Sequence, residues 1–532
     1  MNELPFMEVR LASKSSGRIL HLPVRAGESI ARTVWLSGMV EPAALCSGLG
    51  HCGLCRVRFI FPQTTPAPLP EEYHVLGESA IKQGWRLGCR HVAQPGMVIE
   101  VPAESRCAEA NASRSEQAEG ALVAVDLGTT SIQWKAVTPA GAVLASGHCL
   151  NPQLGAGSDV MSRIAAALNP ETRGLLRDLV VRTLRGIVQQ IPARVSALCV
   201  AGNTAMTAIF LDRDPSGLAG APYTVPDAGS RFVELPDLPP VWIPFQPAPF
   251  VGGDIDAGVT ALLHAGVPCP FLLADMGTNG EVALVVDRQT VFAGSVPLGP
   301  ALEGIGLRYG VMAGQGAVVE FILSPQGLQP RMYGNEQATA ESVAGIAGTG
   351  YLSLITQLRL CGVLNAQGQP VRDTRLPLAA RVLKGLHYPE KAPWRLDLPF
   401  GMALTAEDVE ALLKIRAAFS LAVRKIIEAA EQVSGAGAAP AVWALAGALG
   451  EHVPRQALEL LGFVPLGLGS RLRCMGNTSL QGALGLLHEP ALRTERRNWH
   501  VVDVTASATF AADYLKAMRF ESWNAGVGTN RL

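Results

Sequence analysis

Residues 121–131 read ALVAVDLGTTS, and much later residues 271–280 read FLLADMGTNG. Each stretch is an apolar run of strand length followed by a tight turn of the pattern D-x-G-T, and each leads into a second apolar strand. The two aspartates lie 149 positions apart. Because a repeat at this distance means that one structural unit occurs twice, the sequence predicts two similar α/β halves, each opening with a β-hairpin.

The composition places the chain among large folded proteins. Of its 532 residues 48% are hydrophobic and only 17% are charged, with a formal net charge of −1. Such a chain can bury several cores, which excludes a disordered protein or a coiled coil. A nucleic-acid partner is not expected, since neutralising phosphates needs a basic excess. No stretch reaches about 18 uninterrupted apolar residues and the N-terminus lacks the features of a secretory signal, so we expect a cytoplasmic protein without a membrane partner.

Changes in composition predict the domain boundaries. The segment at 104–120 is polar and rich in small residues, as linkers are. We predict a small mixed domain at 1–103, a linker at 104–120, a first half at 121–266, a second half at 267–489 and a polar tail at 490–532. Apolar spacing predicts strands at 6–12, 18–24, 56–61 and 97–101, and helices at 28–37, 160–168, 173–190, 255–265 and 405–433, the last opened by a capping box.

Three cysteines on one loop and a fourth from a distant segment form a ligand pattern. Cys46, Cys52 and Cys55 are spaced C-x5-C-x2-C, and 33 residues separate them from Cys89. Glycines among them allow backbone N–H groups to point at sulfur, as iron–sulfur clusters require. Structural zinc is the alternative, although zinc ribbons usually carry two C-x2-C pairs, and four unrelated buried thiols are the third possibility. The pattern favours an iron–sulfur cluster.

The two D-x-G-T turns predict a nucleotide site. Glycine lets the backbone approach phosphate, threonine hydroxyls donate to phosphate oxygens, and aspartate organises Mg²⁺ or its waters. A P-loop is excluded, because the pattern G-x-x-x-x-G-K-S/T does not occur. The predicted catalytic residues are Asp126, Asp254 and Asp275, and the predicted nucleotide-binding residues of the two turns are Gly128, Thr129, Thr130, Gly277, Thr278, Asn279 and Glu281.

Several of these residues also have a structural interpretation. Asp254 precedes a predicted helix, where an N-cap role is as plausible as a catalytic one, and Asn203 and Asn477 share this ambiguity. Glu281 either contacts Mg²⁺ or water, or simply faces solvent. Gly447 belongs to a glycine-rich turn after a strand, and residues 345–350 form a second such turn. The sequence leaves these alternatives open.

The cysteine segment closely resembles the 2Fe–2S ferredoxin domains of the β-grasp fold. The resemblance covers residues 6–103 and depends on CSGLGHCGLC at 46–55 and RLGC at 86–89. The two D-x-G-T turns resemble the phosphate loops of the actin, sugar kinase and Hsp70 superfamily. This resemblance implies that Gly447, in the late glycine-rich turn at 442–450, binds the nucleotide in the adenosine loop, although Ala446-Gly447 stands where that superfamily usually has two glycines. Together these resemblances imply a multidomain α/β protein, with an N-terminal β-grasp 2Fe–2S ferredoxin-like domain followed by a duplicated actin/Hsp70/sugar kinase-like ATPase core that binds ATP and Mg²⁺.

The combination resembles the ATP-dependent reductive activators of corrinoid proteins. Further matching stretches are NPQ at 151–153, DVMSR at 159–163, GNTAM at 202–206 and GPALEG at 299–304. The resemblance implies ATP-dependent reduction of cob(II)alamin to cob(I)alamin in a partner corrinoid protein of a methyltransferase system, through one-electron transfer by the 2Fe–2S cluster. It also implies an upstream electron donor and a possible homodimer. Some relatives have an extra domain where this chain has only the short linker, and Thr207 stands where we expect histidine.

Three other functions stay open. A small-molecule kinase with a vestigial cluster would transfer phosphate to a substrate and would not need iron. A nucleotide-gated 2Fe–2S redox sensor would bind ATP without turning it over. An activator of radical-type dehydratases shares the ATPase fold but places its cluster between subunits, so the fused N-terminal domain argues against it.

Overall fold

The structure is a computed structural model in which the chain forms two compact units. The first comprises residues 1–253 with 486–488, and the second comprises residues 254–485 with 489–532. The structure describes residues 5–12, 18–43, 45–50, 52–60, 65–102, 111–112, 120–335, 338–372, 374, 376–390, 393–435, 438–447, 453 and 455–523. Most of the predicted linker and the end of the predicted tail lie outside these ranges.

The N-terminal part of the first unit is a five-stranded mixed sheet with two helices. The sheet order is β2-β1-β5-β3-β4, in which β1 and β5 are parallel and the other neighbours antiparallel. Alternate side chains such as Met7, Val9 and Ile99 point inward and are fully buried. The elements are β1 (Phe6–Ala12), β2 (Arg18–Pro23), α1 (Ile30–Trp35), β3 (Arg56–Phe59), α2 (Pro70–Lys82), β4 (Trp85–Leu87) and β5 (Val98–Pro102). All four predicted strands and the first helix are confirmed, whereas α2 was not predicted.

The remainder of the first unit is a seven-stranded sheet with three helices. Its strand order is β11-β12-β10-β7-β8-β9-β6. Its elements are β6 (Asn111–Ala112), β7 (Ala121–Leu127), β8 (Ser131–Val137), β9 (Val143–Leu150), α3 (Val160–Ala167), α4 (Pro170–Gln190), β10 (Val195–Gly202), α5 (Thr204–Phe210), β11 (Arg231–Val233) and β12 (Val241–Ile243).

The second unit is built on a six-stranded sheet of order β23-β22-β13-β14-β15-β24, with small sheets of order β17-β16-β18 and β19-β20-β21. Its strands are β13 (Phe271–Met276), β14 (Asn279–Val285), β15 (Thr290–Pro297), β16 (Ala317–Ser324), β17 (Gly327–Met332), β18 (Gly345–Ile346), β19 (Leu386–His387), β20 (Arg395–Asp397), β21 (Ala403–Thr405), β22 (Val442–Ala446), β23 (Leu472–Cys474) and β24 (Asn498–Val501). The helices after α5 are α6 (Gly253–His264), α7 (Gly348–Leu360), α8 (Pro377–Leu383), α9 (Ala406–Ser434), α10 (Arg455–Leu461), α11 (Thr478–His488) and α12 (Phe510–Ala517).

The predicted repeat is present in the two large sheets. In one, β7 pairs antiparallel with β8 and parallel with β10; in the other, β13 pairs antiparallel with β14 and parallel with β22. The four helices predicted in the two halves are confirmed within three residues at their ends. The capping box of α9 is present, because the Thr405 hydroxyl accepts the N–H of Asp408 and the Asp408 carboxylate accepts the N–H of Thr405.

The segment predicted as an irregular tail contains regular elements of the second unit. Strand β24 pairs in parallel with β15, and α12 packs against α9. Strand β24 has only four residues and no buried side chain. Helix α12 is only eight residues long, too short for the apolar spacing of Phe510, Tyr514 and Ala517 to stand out in the sequence. Among the described residues, every helix is too short or too polar to cross a bilayer.

Candidate cysteine and nucleotide sites

The four predicted cysteine ligands line one pocket of the first unit. Three come from the loop that follows α1, and Cys89 lies in a single 3-10 turn directly after β4. Their thiols form two hydrogen-bonded pairs, Cys46 with Cys52 and Cys55 with Cys89. The fold therefore brings Cys89 to the cysteines of the loop and places the four thiols in two pairs.

The backbone of the cysteine loop is left-handed at three glycines. Gly48, Gly50 and Gly53 all have positive φ angles, of 83°, 77° and 71°. A side chain at Gly50 would also be strained for space, since its Cβ would lie 2.7 Å from Nε of Arg90. The glycines are therefore required by the path of the loop, as the sequence pattern suggested.

The thiols of each pair alter one another's pKa values. Hydrogen bonding to the partner thiol and burial raise the pKa values of Cys52 and Cys55. The hydrogen bond from Cys55 lowers the pKa of Cys89. Thiolates crowded in a buried pocket repel one another, and positive charge from a metal group relieves that repulsion. Within the described part of the chain, no set of three or more His, Cys, Asp or Glu side chains is arranged around a single metal ion.

The first D-x-G-T turn joins β7 to β8. Asp126, at the end of β7, is half-buried, whereas Thr129 and Thr130 are buried. A Cβ at Gly128 would lie 2.7 Å from the carbonyl oxygen of Ser131, so only glycine fits this hairpin without displacement. The structure thus places the predicted phosphate-binding residues of this half on one tight loop.

Three polar residues outside the turn hold it in place. Asn151 Nδ2 donates to the carbonyl of Gly128 at 2.8 Å, and the guanidinium of Arg163 donates to the carbonyl of Thr129 at 2.8 Å. Asn203 caps α5 through the N–H of Met206 and also donates to Oγ1 of Thr129 at 3.1 Å. Each belongs to a stretch that carried the family resemblance, but the sequence alone assigned them no supporting role.

The second turn joins β13 to β14 and contains Gly277 and Thr278. The Thr278 hydroxyl donates to Oε1 of Glu303 at 2.9 Å, which gives the GPALEG stretch a place beside this turn. Gly447, after β22, has a φ of 79°, and a Cβ there would lie 3.0 Å from Oδ1 of Asp275. Gly447 is therefore brought next to the predicted catalytic aspartate, while residues 448–450 of the same turn lie outside the described residues.

Two of the open alternatives receive a structural answer. In the second glycine-rich turn, a Cβ at Gly348 would lie 1.8 Å from the carbonyl oxygen of Leu302, so close packing explains the glycine at the start of α7. Asn477 caps α11 by accepting the N–H of Leu480 at 2.7 Å. Asp254 lies in the first turn of α6, and its Oδ1 accepts the N–H of Ile255 at 2.8 Å.

Three carboxylates of the second unit act on one another. Asp275 and Glu281 are direct cross-strand partners in the β13–β14 hairpin. Glu281 is only 6% exposed, so the alternative of a solvent-facing side chain is wrong. Burial, together with the charges of Asp254 and Asp275, raises the pKa of Glu281 well above its ordinary value. Such a cluster of oxygen ligands is what Mg²⁺ prefers.

Replacing Glu281 by glutamine should stabilise the metal-free protein and weaken its binding of Mg-ATP. Because the pKa of Glu281 is higher in the folded chain, its stabilising effect is present at pH values below its ordinary pKa of 4.5 and is lost as the pH rises through the folded value. We expect Glu281→Gln to raise the free energy of unfolding at pH 7 by about 1 kcal/mol. Thermal unfolding in EDTA between pH 5 and 8 measures this.

The matched control for this measurement is Glu410→Gln. Glu410 is exposed and forms a surface ion pair with Lys414 one helical turn away, so its replacement should leave the pH dependence of stability unchanged. If Glu281→Gln and the wild type showed the same pH dependence, the three carboxylates would not form a charged cluster in solution.

Two family profiles and one solved structure match this chain over most of its length. Residues 270–527 match the family profile described as the C-terminal domain of RACo, the ASKHA domain, and residues 122–264 match the RACo middle region. A solved structure described as a reductive activator for corrinoid, iron–sulfur protein has a TM-score of 0.65 at 21% identity, with 97% of this chain and 98% of that chain covered. At that identity it supports the fold.

Two curated relatives are similar over most of this chain. The corrinoid activation enzyme RamQ of Eubacterium limosum is 28% identical over 387 residues, 68% of this chain and 63% of that protein, which is less than two thirds of its length. The Co(II) methylated amine-specific corrinoid protein reductase of Methanosarcina barkeri is 24% identical over 440 residues, 76% of this chain and 75% of that protein. Because profiles of one family match residues 122–264 and 270–527, the chain belongs to the RACo family.

Proposed function

We propose that this protein is an ATP-dependent reductase that transfers one electron to a partner corrinoid protein and so converts cob(II)alamin to cob(I)alamin. The observation that carries the proposal is the pairing of four thiols in one pocket, two of them buried and two half-buried, in a chain of the RACo family that also has two phosphate-type turns. The electron comes from an upstream donor and ends on cobalt. Both curated relatives are named for action on corrinoid proteins, which supports the choice of substrate.

The thiols fit a 2Fe–2S cluster. Such a cluster has two irons and takes four thiolates, two for each iron, and the paired arrangement offers this donor set. Structural zinc would instead take all four thiolates around a single ion, whereas these thiols lie in two pairs. The parallel β1–β5 pair at the centre of the N-terminal sheet supports a β-grasp, ferredoxin-like domain. When bound, the cluster supplies one-electron transfer.

The protein's own residues would set the properties of that electron carrier. Cys46 and Cys55 are almost completely buried, and the positive-φ glycines of the loop leave its backbone free to approach the sulfurs. Burial and hydrogen bonds to sulfur are two of the features through which a protein tunes the potential of such a cluster. Plant-type clusters lie near about −400 mV, and each further 100 mV uphill costs about 2.3 kcal/mol per electron.

We assign phosphate binding to each D-x-G-T turn separately. The first turn belongs to the first unit and the second turn to the second unit. Thr129 and Thr130 lie on the first turn and Thr278 on the second, and the aspartate that precedes each turn is half-buried beside it. Asp254, Asp275 and Glu281 would bind Mg²⁺ directly or through water. ATP can favour electron transfer only through a difference in affinity between two states of the protein, because equal affinity shifts no equilibrium.

Anaerobic visible spectroscopy tests this function. The purified protein, a chemically reduced donor and a corrinoid protein are mixed with and without ATP, and the cob(II)alamin and cob(I)alamin bands are followed. We expect cob(I)alamin to form only with ATP. A protein that keeps a 2Fe–2S spectrum, reduces no corrinoid and does not hydrolyse ATP would favour the sensor. A colourless protein that phosphorylates a small molecule after anaerobic reconstitution would favour the kinase.

A further inference from the structure

The hydroxyl of Ser47, the residue after Cys46, joins the cysteine loop to the start of α3. It accepts the backbone N–H of Ser158 at 2.8 Å and donates to Oδ2 of Asp159 at 2.9 Å. The Ser158 hydroxyl oxygen lies 2.8 Å from Oγ of Ser47. Since a hydroxyl has one proton and two lone pairs, this one is fully used in a contact between segments more than a hundred residues apart.

Ser47 occupies this place against its own backbone preference. Its φ is 51°, in the left-handed region that residues with a Cβ seldom adopt, whereas the neighbouring left-handed positions Gly48 and Gly50 are glycines. If only the turn mattered, glycine would be favoured here as well. The hydroxyl is therefore the feature of Ser47 that needs an explanation.

Asp159 connects Ser47 to helix α3. Its Oδ1 caps α3 by accepting the N–H of Ser162 at 2.9 Å. Burial alone would raise the pKa of Asp159, but hydrogen bonds from Ser162 and Ser47 hold the pKa below its usual value. Arg163, which is completely buried, donates its backbone N–H to the carbonyl oxygen of Asp159 at 3.2 Å. Burial lowers the pKa of Arg163, and the charge of Asp159 acts in the opposite direction.

Arg163 links two elements that the proposed function uses separately. Its guanidinium donates to the carbonyl of Thr129 at 2.8 Å and to the carbonyl of Gly157 at 2.7 Å. Gly157 and the neighbouring Ala156 form part of the wall of the cysteine pocket. Because the guanidinium is planar and rigid, one buried cation contacts both the first phosphate turn and the pocket of the thiols.

We propose that Ser47, Asp159 and Arg163, here called the loop bridge, couple nucleotide binding at the first phosphate turn to the oxidation state of a cluster held by the four cysteines. This inference rests on the proposed function, which supplies its two ligands, ATP and the 2Fe–2S cluster. A shift of the Thr129 carbonyl on phosphate binding is passed to Arg163, and from there to the segment that Ser47 contacts. Ser47 is a positioning residue, since it acts on the cluster through the loop.

Because of thermodynamic linkage, the coupling can be measured either as a change in ATP affinity or as a change in the midpoint potential of the cluster. If ATP binds more tightly to one oxidation state, the midpoint potential of the cluster must shift on ATP binding by the same free energy. Typical couplings between sites are about 5- to 150-fold. We expect about a tenfold difference in the Kd for ATP between oxidised and reduced protein, which corresponds to about 59 mV for one electron.

The experiment uses the full chain with its cluster reconstituted anaerobically. Calorimetry gives the Kd of a non-hydrolysable ATP analogue for oxidised and for reduced protein, and a visible redox titration gives the midpoint potential with and without it. In Ser47→Gly, which removes the hydroxyl and suits the positive φ, the ratio of Kd values should fall below about twofold. Asp159→Asn, which keeps an oxygen to cap α3, should lower the ratio in the same direction.

Ser230→Gly is the matched control, because Ser230 is also a serine of the first unit with positive φ, at 54°, and it lies outside the loop bridge. It should keep the full coupling. A wild type with equal Kd values in both oxidation states, or a Ser47→Gly variant with unchanged coupling, would overturn the loop bridge. Coupling without any corrinoid reduction would refute the proposed function and leave the loop bridge standing. A wild type that assembles no cluster would refute both.

Discussion

Replacing Cys52 by serine should abolish ATP-dependent corrinoid reduction, with a loss of more than about 10²-fold, while ATP still binds with a Kd within tenfold of the wild type. Cys52 forms one of the two thiol pairs in the pocket. A serine hydroxyl is a poor ligand for iron, because iron–sulfur clusters are held by thiolates. Visible and EPR spectra report the cluster, and calorimetry reports the nucleotide.

The control for the first variant is Cys474→Ser, since Cys474 is an exposed cysteine of the second unit. It should keep both the cluster spectrum and the reductase activity. If Cys52→Ser lost nucleotide binding as completely as electron transfer, the two activities would not belong to separable parts of the chain. If it kept a normal cluster and full activity, Cys52 would not be a ligand.

The turns and the elements around them could be predicted from sequence because their signals are local. A run of apolar residues ending in D-x-G-T specifies strand, turn and strand within about ten positions, and both copies occur as expected. The capping box at Thr405 likewise fixed the start of α9. Helix α2 was missed because Gly77, with a φ of 78°, interrupts a segment that begins among prolines.

The supporting contacts could not be predicted, because they join distant segments. Nothing near Arg163 in the sequence indicates that its guanidinium donates to the carbonyl of Thr129, 34 positions away. The family resemblance marked the stretches that contain Asn151, Arg163 and Asn203, but a resemblance names residues without giving their contacts. Ser47 carried no signal at all beyond its place in a cysteine-rich loop, and only its positive φ and its partners reveal a role.

Replacing Asp275 by asparagine should lower ATP turnover on the order of 10²-fold and weaken Mg-ATP binding more than the binding of ATP without metal. Asp275 lies at the end of β13, faces Glu281 across the hairpin and has Gly447 packed against its carboxylate. Asparagine has nearly the same shape, so the loss of one negative charge is the main change. A malachite-green assay gives turnover, and calorimetry with and without Mg²⁺ gives affinity.

The same substitution should have the opposite effect on stability, which separates loss of function from loss of fold. The charge of Asp275 is one cause of the raised pKa of Glu281, so its removal relieves repulsion in the metal-free protein. The melting temperature in EDTA at pH 7 should therefore rise in Asp275→Asn, whereas Asp287→Asn, at an exposed turn aspartate of the same unit, should change neither property. A variant that lost turnover together with stability would mean that Asp275 holds the hairpin rather than the metal. A variant that is more stable but inactive would mean that the charge of Asp275 acts in Mg-ATP binding. The reason is that this charge destabilises the metal-free fold, so its contribution to activity must come from its interaction with the bound ligand.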